Sequence, residues 1–219
     1  MIKADLHIHS TVSDGSDTIE QIIDKAVLKG LDAIAITEHD TLSHSAKIPE
    51  NSKLKIIAGI EISAVDPKNN LRAHILGYNI KDAGLVTSFT RPLLEERNKN
   101  SEKQAGILIK NGYKIDINSL ARADGRYLYK QHIMDYLVST GQAEQMFGDF
   151  YMKTFKNGGI CAFDIKYIDV YDAVEIIKKA GGQAVLAHGG QQQNFYLIEQ
   201  LVERGLAGLE LNHHAHSAK

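Results

Sequence analysis

The residues able to do chemistry are histidines and carboxylates at short, regular intervals. Asp5, His7 and His9 are spaced by two, which on a strand turns all three to one face. His39 follows a run ending at Thr37, Glu61 follows one ending at Ile60, and His188 follows one ending at Ala187. His74 lies inside the run 71–78, and Asp14 sits in the loop after the first run. Imidazoles and carboxylates without a thiolate suit Mn, Fe or Zn. Their number exceeds what a single tetrahedral zinc uses. A Glu among several His can bridge two ions about 3.5–4 Å apart, the spacing of two-metal hydrolytic sites. Such a site lowers the pKa of a bound water. The metal-activated hydroxide then attacks phosphorus or carbon, and the ions stabilise charge on the leaving side.

Taken singly, each residue has an ordinary reading. His7-x-His9 alone is weak evidence. His74 on an apolar strand reads as a hydrogen-bonded core residue, His188 before Gly189-Gly190 as a turn residue, and Glu61 as an exposed acid. His44, in the loop 41–45, reads as a solvated loop residue and stands outside the set. The ordinary readings leave one thing unexplained, which is the coincidence of the others at one edge. Buried imidazoles and carboxylates need partners, and a metal cluster supplies them.

The elements that must position these residues follow from hydrophobic spacing. Residues 2–9 alternate and read as a strand. Thr18 reads as the N-cap of a helix with Ile19, Ile22, Ile23, Ala26 and Val27 on one face, ended by Gly30. Strands are expected at 32–37, 55–60 and 71–78, with Pro67 and Asn69-Asn70 marking a turn before the last. From about 81 to 163 the pattern is mainly helical, at 93–111, 118–123, 131–139 and 143–155. A helix at 170–179, a strand at 183–187, a helix near 194–204 and a strand at 207–211 follow. Alternation at both ends implies parallel βα units, whose functional residues gather at C-terminal strand ends. The expectation is a twisted β/α barrel carrying a helical cap; an open doubly wound sheet is the main alternative.

Composition bounds the function. The chain has 219 residues, with 25 Lys+Arg against 27 Asp+Glu and a net charge of -2. That balance argues against a protein that coats nucleic acid, so no stable nucleic-acid complex is expected. A single cysteine, Cys161, excludes a disulfide scaffold. No run approaches the roughly 18 apolar residues of a membrane span. The opening MIKADLHIHS lacks the pattern of a secretory signal. A cytoplasmic protein with no membrane partner is expected; oligomeric state is open.

The ordered motifs resemble the PHP (polymerase and histidinol phosphatase) superfamily. They are Asp5-Leu-His-Ile-His-Ser10, Ser13-Asp14-Gly15, Thr37-Glu-His-Asp40, Gly59-Ile-Glu61, Ala73-His-Ile-Leu-Gly77 and Ala187-His188-Gly189. The insertion and the stretch Gly-Gly-Gln-Ala-Val-Leu-Ala-His188 look most like the small bacterial phosphoesterases. The resemblance implies a distorted (β/α)7 TIM-like barrel from residues 1–80 and 164–219, with a helical insertion (cap) at 81–163. It implies two or three divalent metal ions (Mn, Fe or Zn). His7 and His9 would form a first site, with Glu61 bridging to a second that adds His74 and His188; Asp14 and His39 would form a third. Glu61 and His188 would be catalytic. Lys130 and His132, on the insertion, would bind substrate phosphate. Glu38 stands where relatives often have Asp and need not be a ligand.

The implied activity is a metal-dependent phosphoesterase. It would hydrolyse a phosphate monoester of a small nucleotide-like substrate, such as a 3′,5′-nucleotide bisphosphate, by metal-activated hydroxide. Alternatives are a histidinol-phosphate phosphatase and an RNA 5′-end exonuclease. The family also closes its barrel with a final βα unit carrying an Asp-x-His motif, which the residues through Lys219 lack. A metal-binding but inactive module is therefore a further alternative. His213-His214-x-His216 stands near the place of that motif, where relatives often have polar residues that are not ligands.

Overall fold

Amphipathic spacing and capping residues set the elements of this computed structural model, which describes residues 2–49, 54–120 and 127–213. The chain forms two compact units, Met1–Pro92 with Tyr167–Lys219, and Leu93–Lys166.

The first unit is built on a seven-stranded sheet: β1 (Ala4–Ile8), β2 (Ala33–His39), β3 (Lys55–Asp66), β4 (Leu71–Tyr78), β5 (Ile168–Asp169), β6 (Gln183–Leu186) and β7 (Leu206–Leu209). The order is β1-β2-β3-β4-β6-β7, with β5 added to β3. β1, β2 and β3 run parallel, as do β6 and β7. β4 is antiparallel to both β3 and β6, which corrects the expectation of parallel units throughout. The reason is the link. Residues 67–70 are too few for a crossover, which needs a dozen or more, so β3 and β4 close as a hairpin. The sheet curls. The Tyr78 hydroxyl on β4 donates to the Leu6 carbonyl on β1 at 2.7 Å.

Helices cover this sheet from two sides of its sequence. α1 (Ile19–Leu28) starts at Thr18 with a capping box: Gln21 N–H donates to Thr18 Oγ1, and Thr18 N–H to Gln21 Oε1. Gly30 follows at φ +65°, a left-handed conformation that favours glycine. The helix packs Ile19, Ile22, Ile23 and Ala26 against Ile34 and Ile36. α6 (Val170–Lys179) is capped by Asp169, whose carboxylate accepts from Tyr171 N–H at 2.9 Å. Its Val170, Ala173, Val174 and Ile177 share one face and pack with Ile60, Ile62 and Ile75. Each buried aliphatic side chain of this kind contributes about 1.5–3 kcal/mol. Short helices α7 (Gly189–Gln192) and α8 (Ile198–Arg204) precede β7.

Between them in sequence, α2 (Ala83–Lys110) begins ten residues before the expected start at 93 and carries Pro92 inside it. Pro92 has no N–H for the Ser88 carbonyl, and the division between the two units falls there. The second unit continues with α3 (Ile117–Leu120), α4 (Lys130–Ser139) and α5 (Asp149–Phe155). Its core gathers Leu108, Leu120, Ile133, Met134, Leu137 and Phe155. The helix expected at 143–155 is thus only its second half, because Gly148 sets an extended N-cap. Residues 121–123, expected as helix, lie outside the described residues. No described helix is long and apolar enough to cross a membrane.

Candidate metal centre

One carboxylate organises the site. Glu61 lies within β3, not after a strand that ends at Ile60, and it is 1% exposed, not a surface acid. Its register partners are His39 at the end of β2 and Leu76 on β4. His74 pairs with Ser63 and so lies diagonal to Glu61 on the same face. His7 and His9 reach the same point from β1 and the residue after it, and His188 from the turn after β6.

Five imidazole nitrogens therefore surround the two oxygens of Glu61. Oε2 lies 3.3 Å from His7 Nε2, 3.1 Å from His9 Nε2 and 3.2 Å from His39 Nδ1. Oε1 lies 2.7 Å from His74 Nδ1 and 2.9 Å from His188 Nε2. Asp14 closes one side, with Oδ1 3.4 Å from His9 Nδ1 and Oδ2 3.7 Å from His39 Nε2. The loop that carries Asp14 turns so tightly that a Cβ at Gly15 would lie 2.2 Å from the His9 carbonyl oxygen. His7, His9, Asp14, His39, Glu61, His74 and His188 are thus brought together. The tightest three-donor groups are His7, Glu61 and His188, and His9, His39 and Glu61, with donor atoms within 4.8 Å of one another. These groups cut across the pairing that the family resemblance implies.

The donor set fits divalent cations. A carboxylate offers about four lone-pair directions, fewer than the five imidazoles facing it. Charging all five rings would set like charges side by side; the His9 and His39 ring centroids are 4.5 Å apart. His188 Nδ1 is buried with no hydrogen-bond partner. Cations among these nitrogens would satisfy both conditions.

Electrostatics separates the rings. Burial alone would raise Glu61, but His74, His39, His188 and His7 outweigh it and hold the carboxyl well below its usual range. Burial lowers His7, yet hydrogen bonds to Glu210 and Glu61 push it up to about 10. His39 goes the other way: burial takes it down to about 4, against the pull of Glu61 and Asp14. Burial lowers His9 too, but Glu61 and Asp14 leave it raised.

Three residues near the site were outside the expected set. Glu210 follows β7, and its Oε1 lies 3.1 Å from His7 Nδ1 while Oε2 accepts the His188 N–H at 2.5 Å. Its place just after a strand was the available signal. Glu38 is fully buried and accepts from the backbone N–H groups of Ser10 and Ser13 and from both hydroxyls. It is no ligand but the knot that holds the 10–13 turn, and burial raises its carboxyl above the usual range. His44 is fully buried, not solvated, with Nε2 donating to the Ile36 carbonyl at 3.0 Å.

The remaining expected residues lie elsewhere. The His213 ring centroid is 5.4 Å from that of His188, and His214 and His216 lie outside the described residues. Lys130 and His132 belong to the second unit, at the start of α4. His132 is buried, and its Nδ1 accepts the Tyr129 N–H at 3.0 Å, so a neutral ring carries its proton on Nε2. Lys130 Nζ lies 5.7 Å from the Phe155 ring centroid.

A curled α/β sheet that aims five imidazoles and two carboxylates at one point defines a protein with a candidate divalent-cation centre. The chain belongs to the PHP domain family, whose model matches residues 5–212. It is 40% identical to the phosphoribosyl 1,2-cyclic phosphate 1,2-diphosphodiesterase of Eggerthella lenta, over 97% of this chain and 84% of that protein. It is 32% identical to the 5′-3′ exoribonuclease Rnm of Escherichia coli, over 85% of this chain but only 65% of the relative. A 3′,5′-nucleoside bisphosphate phosphatase of Chromobacterium violaceum is 27% identical over 99% of this chain and 79% of its own length. Among solved structures, an amidohydrolase from Chromobacterium violaceum, with bound sulfate and no metal, has a TM-score of 0.85 and 25% identity. It covers 98% of this chain and 78% of its own.

Proposed function

We propose that this chain is a metal-dependent hydrolase of phosphoric esters. The observation that carries the reading is the convergence of His7, His9, His39, His74 and His188 on the buried carboxylate of Glu61. Divalent ions held there would supply water activated near neutral pH and neutralise charge on a phosphate. The chain's own contribution is order. Glu61 fixes the imidazoles around one point, and His39, held neutral by burial, offers a lone pair. Asp14 adds a carboxylate beside His9 and His39. Two or three ions of Mn, Fe or Zn match this donor number and type. Glu61 and His188 stand nearest the chemistry in this reading. Lys130 and His132 are assigned to substrate phosphate. The curled sheet is taken as a distorted (β/α)7 barrel. Cys161, a buried free thiol, suits the reducing cytoplasm.

The substrate class follows from the relatives' names. The 40% identical protein is named for a cyclic phosphate on a phosphoribosyl group, which makes a ribose cyclic phosphodiester the leading substrate. A nucleotide 3′,5′-bisphosphate is the second reading, favoured by the 27% identical phosphatase across 99% of the chain. The test is initial rates with Mn2+ on a ribose cyclic phosphodiester, adenosine 3′,5′-bisphosphate, histidinol phosphate and end-labelled short RNA. Turnover that a chelator abolishes is expected, fastest on the cyclic diester. Bound metal with no turnover on any phosphoester would replace this reading with an inactive metal-binding module.

A further inference from the structure

Glu210 touches two candidate ligands without facing the centre itself. Its Oε1 meets His7 Nδ1 at 3.1 Å, while the other nitrogen of the same ring, Nε2, faces Glu61 Oε2 at 3.3 Å. Its Oε2 takes the backbone N–H of His188 at 2.5 Å. His188 sits at φ +28°, ψ 49°, a conformation that costs a non-glycine residue energy and persists only where the surroundings fix it. His7 and His188 are also the two histidines that, with Glu61, form one of the tight three-donor groups. His7 lies on β1 at one end of the sheet order and Glu210 just after β7 at the other, where no ladder bond joins β1 to β7 among the described residues.

We propose that Glu210 is the positioning residue of the cation site formed by His7, Glu61 and His188. This rests on the metal-centre reading above. A ligating histidine needs its free nitrogen turned to the ion and its proton held on the other. By accepting from Nδ1–H, Glu210 leaves the Nε2 lone pair of His7 for the cation. By accepting from the His188 N–H, it holds the strained turn that aims the second ring. Both of its oxygens are thereby engaged, so it orients ligands and does not act as one. It also does the work of a missing ladder, tying the first strand to the end of the last.

Partners of this kind change metal affinity by about 10–100-fold when removed. The test compares wild type, Glu210→Gln and Glu210→Ala as the full chain. Affinity is read by chelator competition with Mn2+ and Co2+, together with the visible spectrum of the Co2+ form. Glu210→Ala should lose affinity by 10–100-fold at one site and shift the Co2+ bands. Glu210→Gln keeps one acceptor and should recover part of the loss. Variants with wild-type affinity and spectrum overturn the role of Glu210 alone. A Gln variant as weak as the Ala variant overturns the hydrogen-bond mechanism. A wild-type chain that takes up neither metal overturns the metal-centre reading and this proposal with it.

Discussion

His39 and Glu61 are register partners across β2 and β3, and His39 Nδ1 lies 3.2 Å from Glu61 Oε2. Adjacent parallel strands thus deliver a ring and a carboxylate side by side, before any loop contributes. Because four more imidazoles meet the same carboxylate, Glu61 is the residue whose loss disperses the set. Glu61→Ala should lower metal content and cut phosphoesterase activity by more than the ~100-fold that removing an outer partner can cost. Elemental analysis with a rate assay checks this. An active, fully loaded Glu61→Ala protein would sink the assignment.

Cation binding should also appear as stability. A ligand that binds only the folded state stabilises it, by about 2.7 kcal/mol at a hundred times its Kd. The thermal midpoint of chelator-stripped protein should rise with added Mn2+ and not with added Na+ at equal ionic strength. A flat response to Mn2+ would contradict the centre.

Gly15 is needed for space. A Cβ there would meet the His9 carbonyl oxygen at 2.2 Å, so Gly15→Ala must move the turn that carries Asp14. The expected cost is about 1–3 kcal/mol of stability, as for other overpacked sites. One equivalent of metal should be lost with it. Asp14→Asn should lose the metal but keep the stability of the metal-free wild type. Denaturant melts and metal analysis on both variants separate the two effects.

His44 makes a prediction about pH. Burial holds its ring at about 4 in the folded chain, despite the hydrogen bond to Ile36, against an ordinary value of 6.5. Between those values the unfolded state binds a proton that the folded state does not. Stability therefore falls as pH drops through that window, by about 3 kcal/mol in all for this residue. His44→Gln, which keeps a donor for the Ile36 carbonyl, should gain relative to wild type as pH falls from 7 to 4. Metal-free denaturant melts at several pH values measure it; a constant difference would refute it.

What could be read from the sequence was the part carried by local spacing. The period of two at His7 and His9, and the polar residue closing each apolar run, place ligand-type side chains at one edge. The helices at 19–28 and 170–179 are written in their caps and apolar faces. Long-range facts were hidden. Glu210 is one of 27 acids, and its partner His7 lies 203 residues away. The polar sequence around His44 says loop, and only the packed fold says buried. The turn at 67–70 was visible, but the alternation rule at both ends concealed the hairpin it makes. The helix read as beginning at residue 93 instead starts at Ala83 and runs through Pro92.

The order of the centre along the chain also sets an order in time. His7, His39, Glu61 and His74 come from strands β1 to β4, which pair with their neighbours, and His9 and Asp14 from the turn after β1; all six precede the second unit along the chain. His188 and Glu210 follow only after the whole second unit has been made. Domains tend to fold as they emerge. A nascent chain would then hold the His9, His39 and Glu61 group early and acquire the His7, Glu61 and His188 group last. Under the proposed metal-centre reading, loading would thereby be staged by synthesis: the His9, His39 and Glu61 group precedes the second unit, and the His7, Glu61 and His188 group waits for β7.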